Sequence, residues 1–215
     1  MSINDRDKKS DVSAVRTHES GFSMVELMIA CVIMVIIAAL AVPNITRTYQ
    51  NYRLDAAGHS VAGLLQQARM QAVKTNAPAY ANTTNASSGN MAFVSTDNST
   101  AYTAGEPDIQ LSAAVTFQPP PTSPLTFHTQ LDTYLNGGST TQTPTIGGPI
   151  GFNARGLPCV ANTGNPTVCS LPVLTSGFIW FMQSSIGWEA VTVTTSGRIK
   201  AWRLVSQTST TTTWQ

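Results

Sequence analysis

The sequence predicts an α+β fold: a long N-terminal helix, transmembrane in its first half and amphipathic in its second, packed on a β-rich antiparallel head. Three observations predict it. Residues 22–42 form an apolar run broken by one charged side chain, Glu26. Apolar residues then recur at three- and four-residue spacing from Leu54 to Ala72. Beyond residue 78 the helical period disappears, and short β-like runs alternate with stretches of Thr, Ser, Asn, Gly and Pro.

Residues 1–21 read as a polar leader, with Arg6, Lys8, Lys9 and Arg16 set against Asp5, Asp7, Asp11 and Glu19. A secretory signal places its apolar segment before the cleavage site, whereas here the apolar segment follows Gly21. Residues 22–42 supply the roughly 20 apolar residues that a bilayer-spanning helix needs. The Lys/Arg-bearing flank of a first span stays cytoplasmic, which places the C-terminal head outside the inner membrane. Met28-Ile29-Ala30-Cys31 has a loose lipobox look, but the apolar run continues for 11 residues past Cys31, where a lipobox would end it. An ionisable side chain in such a run costs roughly 2.5–3.5 kcal/mol on insertion scales and is usually kept for a partner. The alternative is that Glu26, only the fifth residue of the run, stays hydrated at the membrane surface.

Residues 43–77 continue the same helix. Pro43 is expected to kink it, since proline removes a backbone hydrogen bond and crowds the preceding turn. Leu54, Gly58, Val61, Leu65, Ala68 and Ala72, with Leu64 and Val73 beside them, form the face for the head. Arg47, Gln50, Arg53, Gln67, Arg69, Gln71 and Lys74 form the opposite face, and Asn76-Ala77-Pro78 is the stop. A helix from Phe22 to Asn76 would be roughly 80 Å long at 1.5 Å per residue.

Residues 78–205 make one β-rich head. Strands are expected at Met91–Ser95, Ile109–Leu111, Ala114–Phe117, Ile150–Asn153, Gly177–Gln183, Trp188–Thr194 and Arg198–Val205. The last two are joined through Thr195-Ser196-Gly197, a hairpin turn. Gln118–Pro149, with six prolines and four glycines, is expected to be a long surface excursion. Residues 206–215 are expected to be a disordered Thr-rich tail. Cys159 and Cys169 flank a short loop and have no further Cys or His at metal-ligand spacing, so a disulfide is favoured over a metal site. Cys31 is a packing residue of the span.

Few residues suggest catalysis. His18, His59 and His128 are scattered, and no G-x-S-x-G, H-E-x-x-H or phosphate-binding loop occurs, so neither an enzyme nor a cofactor is expected. One basic cluster stands out: Arg198, Lys200, Trp202 and Arg203. On a strand, Arg198, Lys200 and Trp202 share a face, with the cations about 6–7 Å apart. That spacing suits successive phosphates, with Trp202 offered for base stacking and Arg155 as an addition. The competing reading, favoured by the residues alone, is a cationic edge strand protected against aggregation. Residues 44–215 carry eight basic and six acidic side chains, far from the footprint of a dedicated nucleic-acid binder.

Gly21-Phe22-Ser23-Met24-Val25-Glu26-Leu27 resembles the type III (prepilin) signal of type IV pilins and type II secretion pseudopilins. The resemblance implies that a prepilin peptidase cuts between Gly21 and Phe22 and N-methylates the Phe22 amine. It implies that Glu26 neutralises the terminal amine of a neighbouring subunit during filament assembly. Implied partners are other pilins or pseudopilins, an inner-membrane assembly platform and the bilayer. "LLQQARMQAVKTNAPAY", "FNARGLP" and "WEAVTVTTSGRIKAWR" are similar to the GspH/FimT branch, which includes the H-type minor pseudopilin of type II secretion and the FimT minor pilin. Some FimT members bind DNA through a C-terminal Gly-Arg-x-Arg motif, which here falls on Gly197, Arg198 and Lys200. Lys200 replaces the second arginine, so a point charge stands where a bidentate fork would be. The expected function is therefore a structural subunit that initiates or caps a pilus or pseudopilus, with DNA uptake as the alternative.

Overall fold

A computed structural model describes residues 21–84, 90–95, 99, 101–121, 127–136, 144–161, 169–170, 176–207 and 212–215. The chain divides into two compact units, residues 1–44 and residues 45–215. In the first, the described part is the start of helix α1 (Met24–Thr75), whose apolar side chains from Val25 to Val42 are exposed almost throughout. The helix is assigned without interruption across Pro43.

The second unit holds the rest of α1 and the head. Here α1 buries Leu54, Ala57, Gly58, Val61, Leu64, Leu65, Ala68 and Ala72, the face expected from the spacing. Val73 departs from that expectation: it is 53% exposed, one step past Ala72 around the helix. The helix ends where Asn76 takes the left-handed conformation, φ 52°. Asn76 N–H then bonds the Val73 carbonyl and Ala77 N–H the Ala72 carbonyl, a Schellman closure that satisfies two of the last free carbonyls.

Among the described residues, twelve strands follow in two six-stranded sheets. They are β1 (Ala79–Thr84), β2 (Met91–Ser95), β3 (Asp108–Gln110), β4 (Val115–Phe117), β5 (Thr145–Ile146), β6 (Ile150–Phe152), β7 (Pro158–Ala161), β8 (Cys169–Ser170), β9 (Phe178–Ser184), β10 (Gly187–Val193), β11 (Ile199–Gln207) and β12 (Thr212–Trp214). One sheet has the order β3-β2-β1-β6-β7-β8. The other has β12-β11-β10-β9-β4, with β5 beside β9. Among the described residues, all pairings are antiparallel except β5 with β9. Cys159 on β7 and Cys169 on β8 are joined as a disulfide across the two strands, with Cα atoms 5.4 Å apart. Their sulfurs are bonded to each other, so they are not metal ligands.

The main core lies between the inner face of α1 and both sheets. Leu54, Val61, Leu65 and Ala68 meet Ala81, Val94 and Ile150 of one sheet, and Phe178, Trp180, Met182, Val191 and Val193 of the other. A second cluster occupies the opposite face of β9 and β10, where Ile179, Phe181 and Ala190 pack with Phe127, Leu131, Leu135, Trp202 and Trp214. Successive residues of β9 thus enter different cores, and a strand buried on both faces reads as the unbroken run Phe-Ile-Trp-Phe-Met.

That second core overturns two expectations. The excursion 118–149 contains helix α2 (Thr129–Asn136), which buries Leu131 and Leu135 at four-residue spacing. The segment 206–215 is not wholly a free tail, because β11 runs to Gln207 and β12 seals the sheet edge. Trp214 is 1% exposed, its indole N–H donating to the Phe127 carbonyl at 2.9 Å. Gln130 of α2 clasps it from both sides, donating to the Trp214 carbonyl and accepting from its amide. Burying so large an aromatic surface outweighs the weak propensity of the threonines around it.

Candidate functional site

The first candidate site is the start of α1. Gly21, Phe22 and Ser23 precede the helix in open, exposed backbone, and no neighbouring atom lies within 4 Å of where a Gly21 Cβ would stand. Leu27 N–H bonds the Ser23 carbonyl at 3.1 Å, so Ser23 caps a helix that begins at Met24, two residues past the Gly21–Phe22 bond. Phe22 is 81% exposed. Glu26 lies in the first turn, where the helix dipole favours a negative charge. The Glu26 carboxylate stands one helical turn beyond Phe22. By length and composition α1 can cross a membrane.

The second candidate is the cationic end of the head, built around two turns. In the β10–β11 hairpin, Gly197 N–H bonds the Thr194 carbonyl and Thr194 N–H bonds the Arg198 carbonyl, with Gly197 at φ +80°. A residue with a side chain would be strained there. In the turn between β6 and β7, the Asn153 side-chain oxygen accepts from Arg155 N–H and Leu157 N–H. Gly156 in that turn has φ +74°. The two turns touch: a Cβ on Gly197 would lie 2.9 Å from the Gly156 carbonyl oxygen. Between them runs Arg69 of α1, donating to the Gly197 carbonyl at 3.0 Å. Arg155 and Arg198, both exposed, stand next to this junction.

The cluster expected on β11 does not form one face. Trp202 is 7% exposed; its indole N–H donates to the Thr192 hydroxyl at 2.8 Å, and its ring meets Tyr134 edge-on. The Lys200 ammonium lies over the Trp202 ring, 3.4 Å from its centre. With the ring buried and Lys200 lying over it, a base has no open stacking surface. Arg203 points to the other side of the sheet, where it donates to Asn51 of α1 at 2.6 Å. Of the expected cations, only Arg198 and Arg155 are exposed, and what joins them is Arg69, which patterning alone assigned to the outer face of the helix.

A buried carboxyl is the feature that sequence reasoning missed. Glu189 on β10 is 1% exposed and pairs across the sheet with Arg203. It sits so close to α1 at Gly58 that a Cβ there would fall 2.0 Å from its Oε1, which is why a glycine occupies the buried face of the helix. Burial first, and the nearby Asp55 charge second, push its carboxyl up to about 8, against the opposing pull of Arg203 and a Gly58 backbone hydrogen bond. Its Oε2 has no hydrogen-bond partner among the described residues. The signal was one acidic residue in the apolar run Trp188–Val193.

Residues 16–42 match the family described as the prokaryotic N-terminal methylation motif. No curated protein matches the chain. Among solved structures, the type IV minor pilin FimU of Pseudomonas aeruginosa is similar with a TM-score of 0.42 and 13% identity, over 76% of this chain and 94% of that one. The match at residues 16–42 spans the Gly21–Phe22 bond, Glu26 and the apolar run. The chain thus carries the prokaryotic N-terminal methylation motif on the first turns of a long helix that leads into an antiparallel β-rich head.

Proposed function

We propose that the protein is a minor pilin or pseudopilin, a structural subunit that helps to initiate or cap assembly of a pilus or a type II secretion pseudopilus. It would enter the bacterial inner membrane through α1 as a single span, with its head in the periplasm. A prepilin peptidase would remove residues 1–21 and methylate Phe22. Extraction from the bilayer would then pair Glu26 with the Phe22 amine of a neighbouring subunit, so that two charges costly in lipid neutralise each other. The observation that carries this reading is the N-terminal methylation motif over residues 16–42. Mass spectrometry of the membrane-purified protein tests it. The expected product begins at Phe22 and carries one added methyl; an intact leader, or cleavage beyond the apolar run, overturns the proposal.

DNA contact is the second reading, supported by the convergence of Arg155 and Arg198 on one junction. Lys200, Trp202 and Arg203 are engaged within the fold, so the contact would rest on phosphates alone.

A further inference from the structure

Beside the Arg69 junction, a groove of about 550 Å³ runs between the last turns of α1 and the β10–β11 hairpin. Gln66, Arg69, Met70, Val73 and Lys74 form its helical wall, and Gly197, Arg198 and Ile199 the other. Its chemistry is two-sided. Met70 is 64% exposed and Val73 53%, and Ile199 adds a third, partly buried apolar side chain. Arg69, Lys74 and Arg198 line the same groove, and Arg155 stands next to it on the adjoining turn. No acidic residue lines it, and among the described residues no carboxylate forms an ion pair with any of these four cations. Exposed apolar side chains framed by unpaired charge of one sign mark an interaction surface.

We propose that this groove docks an acidic, aliphatic segment of a partner protein, with Leu-, Ile- or Val-like side chains against Met70, Val73 and Ile199 and carboxylates on Lys74, Arg198 and Arg155. Charge complementarity selects the sign of the partner. The apolar floor selects a peptide over a nucleic acid, since a phosphate backbone would satisfy the cations but leave Met70 and Val73 against a hydrated polyanion. The groove is also preformed: Arg69 is tied to the Gly197 carbonyl, and the two left-handed glycines hold both turns against it. The proposal does not depend on which filament, if any, the chain joins.

The test uses the full chain in uncharged detergent micelles. A displayed library of random short peptides is selected on the wild type and, in parallel, on a Lys74→Glu/Arg198→Glu variant, both side chains being exposed. The expected result is enrichment of peptides combining Asp or Glu with aliphatic residues on the wild type only. The best peptide should then lose affinity about tenfold or more for a Met70→Ser/Val73→Ser variant, and likewise when its own aliphatic residues become serine. Tryptophan fluorescence checks that both variants keep the native head. Four outcomes overturn the proposal: no peptide enriched over the variant, enriched peptides without acidic excess, equal binding of the serine-substituted peptide, or salt-dependent binding of duplex DNA in place of any peptide.

Discussion

Glu189→Gln should remove the largest part of the head's loss of stability with rising pH. The Glu189 carboxyl is pushed from an ordinary 4.5 to about 8 in the folded protein, chiefly by burial and secondarily by Asp55. In the unfolded chain it ionises in the ordinary range. Between about pH 4.5 and 8 the folded state therefore holds a proton that the unfolded state releases, and stability falls as pH rises. The loss runs at up to about 1.4 kcal/mol per pH unit, and stops once both states are ionised. Over the whole window this amounts to about 3–5 kcal/mol, the lower figure allowing for relaxation of the site. The amide is nearly isosteric and does not ionise, so it keeps the contact with Gly58 without the titration. All four tryptophans lie between residues 180 and 214, so their fluorescence reports on the head alone during urea unfolding of the full chain in micelles. Wild type and variant should have similar stability near pH 4.5–5 and diverge until the variant is the more stable by a few kcal/mol near pH 8–9. His128, raised by its hydrogen bond to Asp132, also makes the head less stable as pH rises, but it does so in both proteins and cancels in the difference. Parallel curves for the two proteins across this range would refute the reasoning.

Three further outcomes follow from the same geometry. Glu26→Ala should leave membrane insertion intact, because it makes the span more apolar, and should weaken crosslinking to partner subunits; unchanged crosslinking would remove the assembly role from Glu26. Cys159→Ala/Cys169→Ala should lower head stability by about 2–3 kcal/mol in urea, since the bridge closes a short loop and limits the unfolded chain. Gly197→Ala should cost about 1–3 kcal/mol by forcing a side chain into the left-handed region against the Gly156 carbonyl, with tryptophan-detected unfolding as the measure.

What was legible in the sequence depended on how many faces of an element are buried. The inner face of α1 was readable because only one side of it meets the head, and single-sided burial leaves a 3.6-residue trace. The strands β2, β4, β6, β9 and β10 were found within a residue or so at each end, because β-branched and aromatic side chains bounded by turn residues are a strong local signal. The short edge strands β5, β8 and β12 left no such trace. Their pairing is imposed by the neighbouring strand and, for β12, by Trp214 and Gln130. Helix α2 was hidden for a related reason. Eight residues with two buried leucines are too few for a period to show, inside a stretch whose prolines and glycines signal a loop.

The N-terminal site was the most legible, since its chemistry depends on order along the chain: a glycine, an aromatic residue, and a carboxylate one turn into an apolar run. The basic cluster on β11 was the least. Alternation along a strand correctly places Lys200 and Trp202 on one side and Ala201 and Arg203 on the other. It does not say whether a side is open to water. Trp202 lies on the side covered by α2, which is why its indole meets Tyr134, and Lys200 follows it by stacking on the ring. Arg203 lies on the side covered by α1 and meets Asn51. Only Arg198 escapes, because it precedes the strand and belongs to the turn. Its true neighbours, Arg69 and Arg155, are separated from it by 129 and 43 residues in sequence. They are brought together by two glycine turns that touch around one arginine, an arrangement that no local pattern encodes.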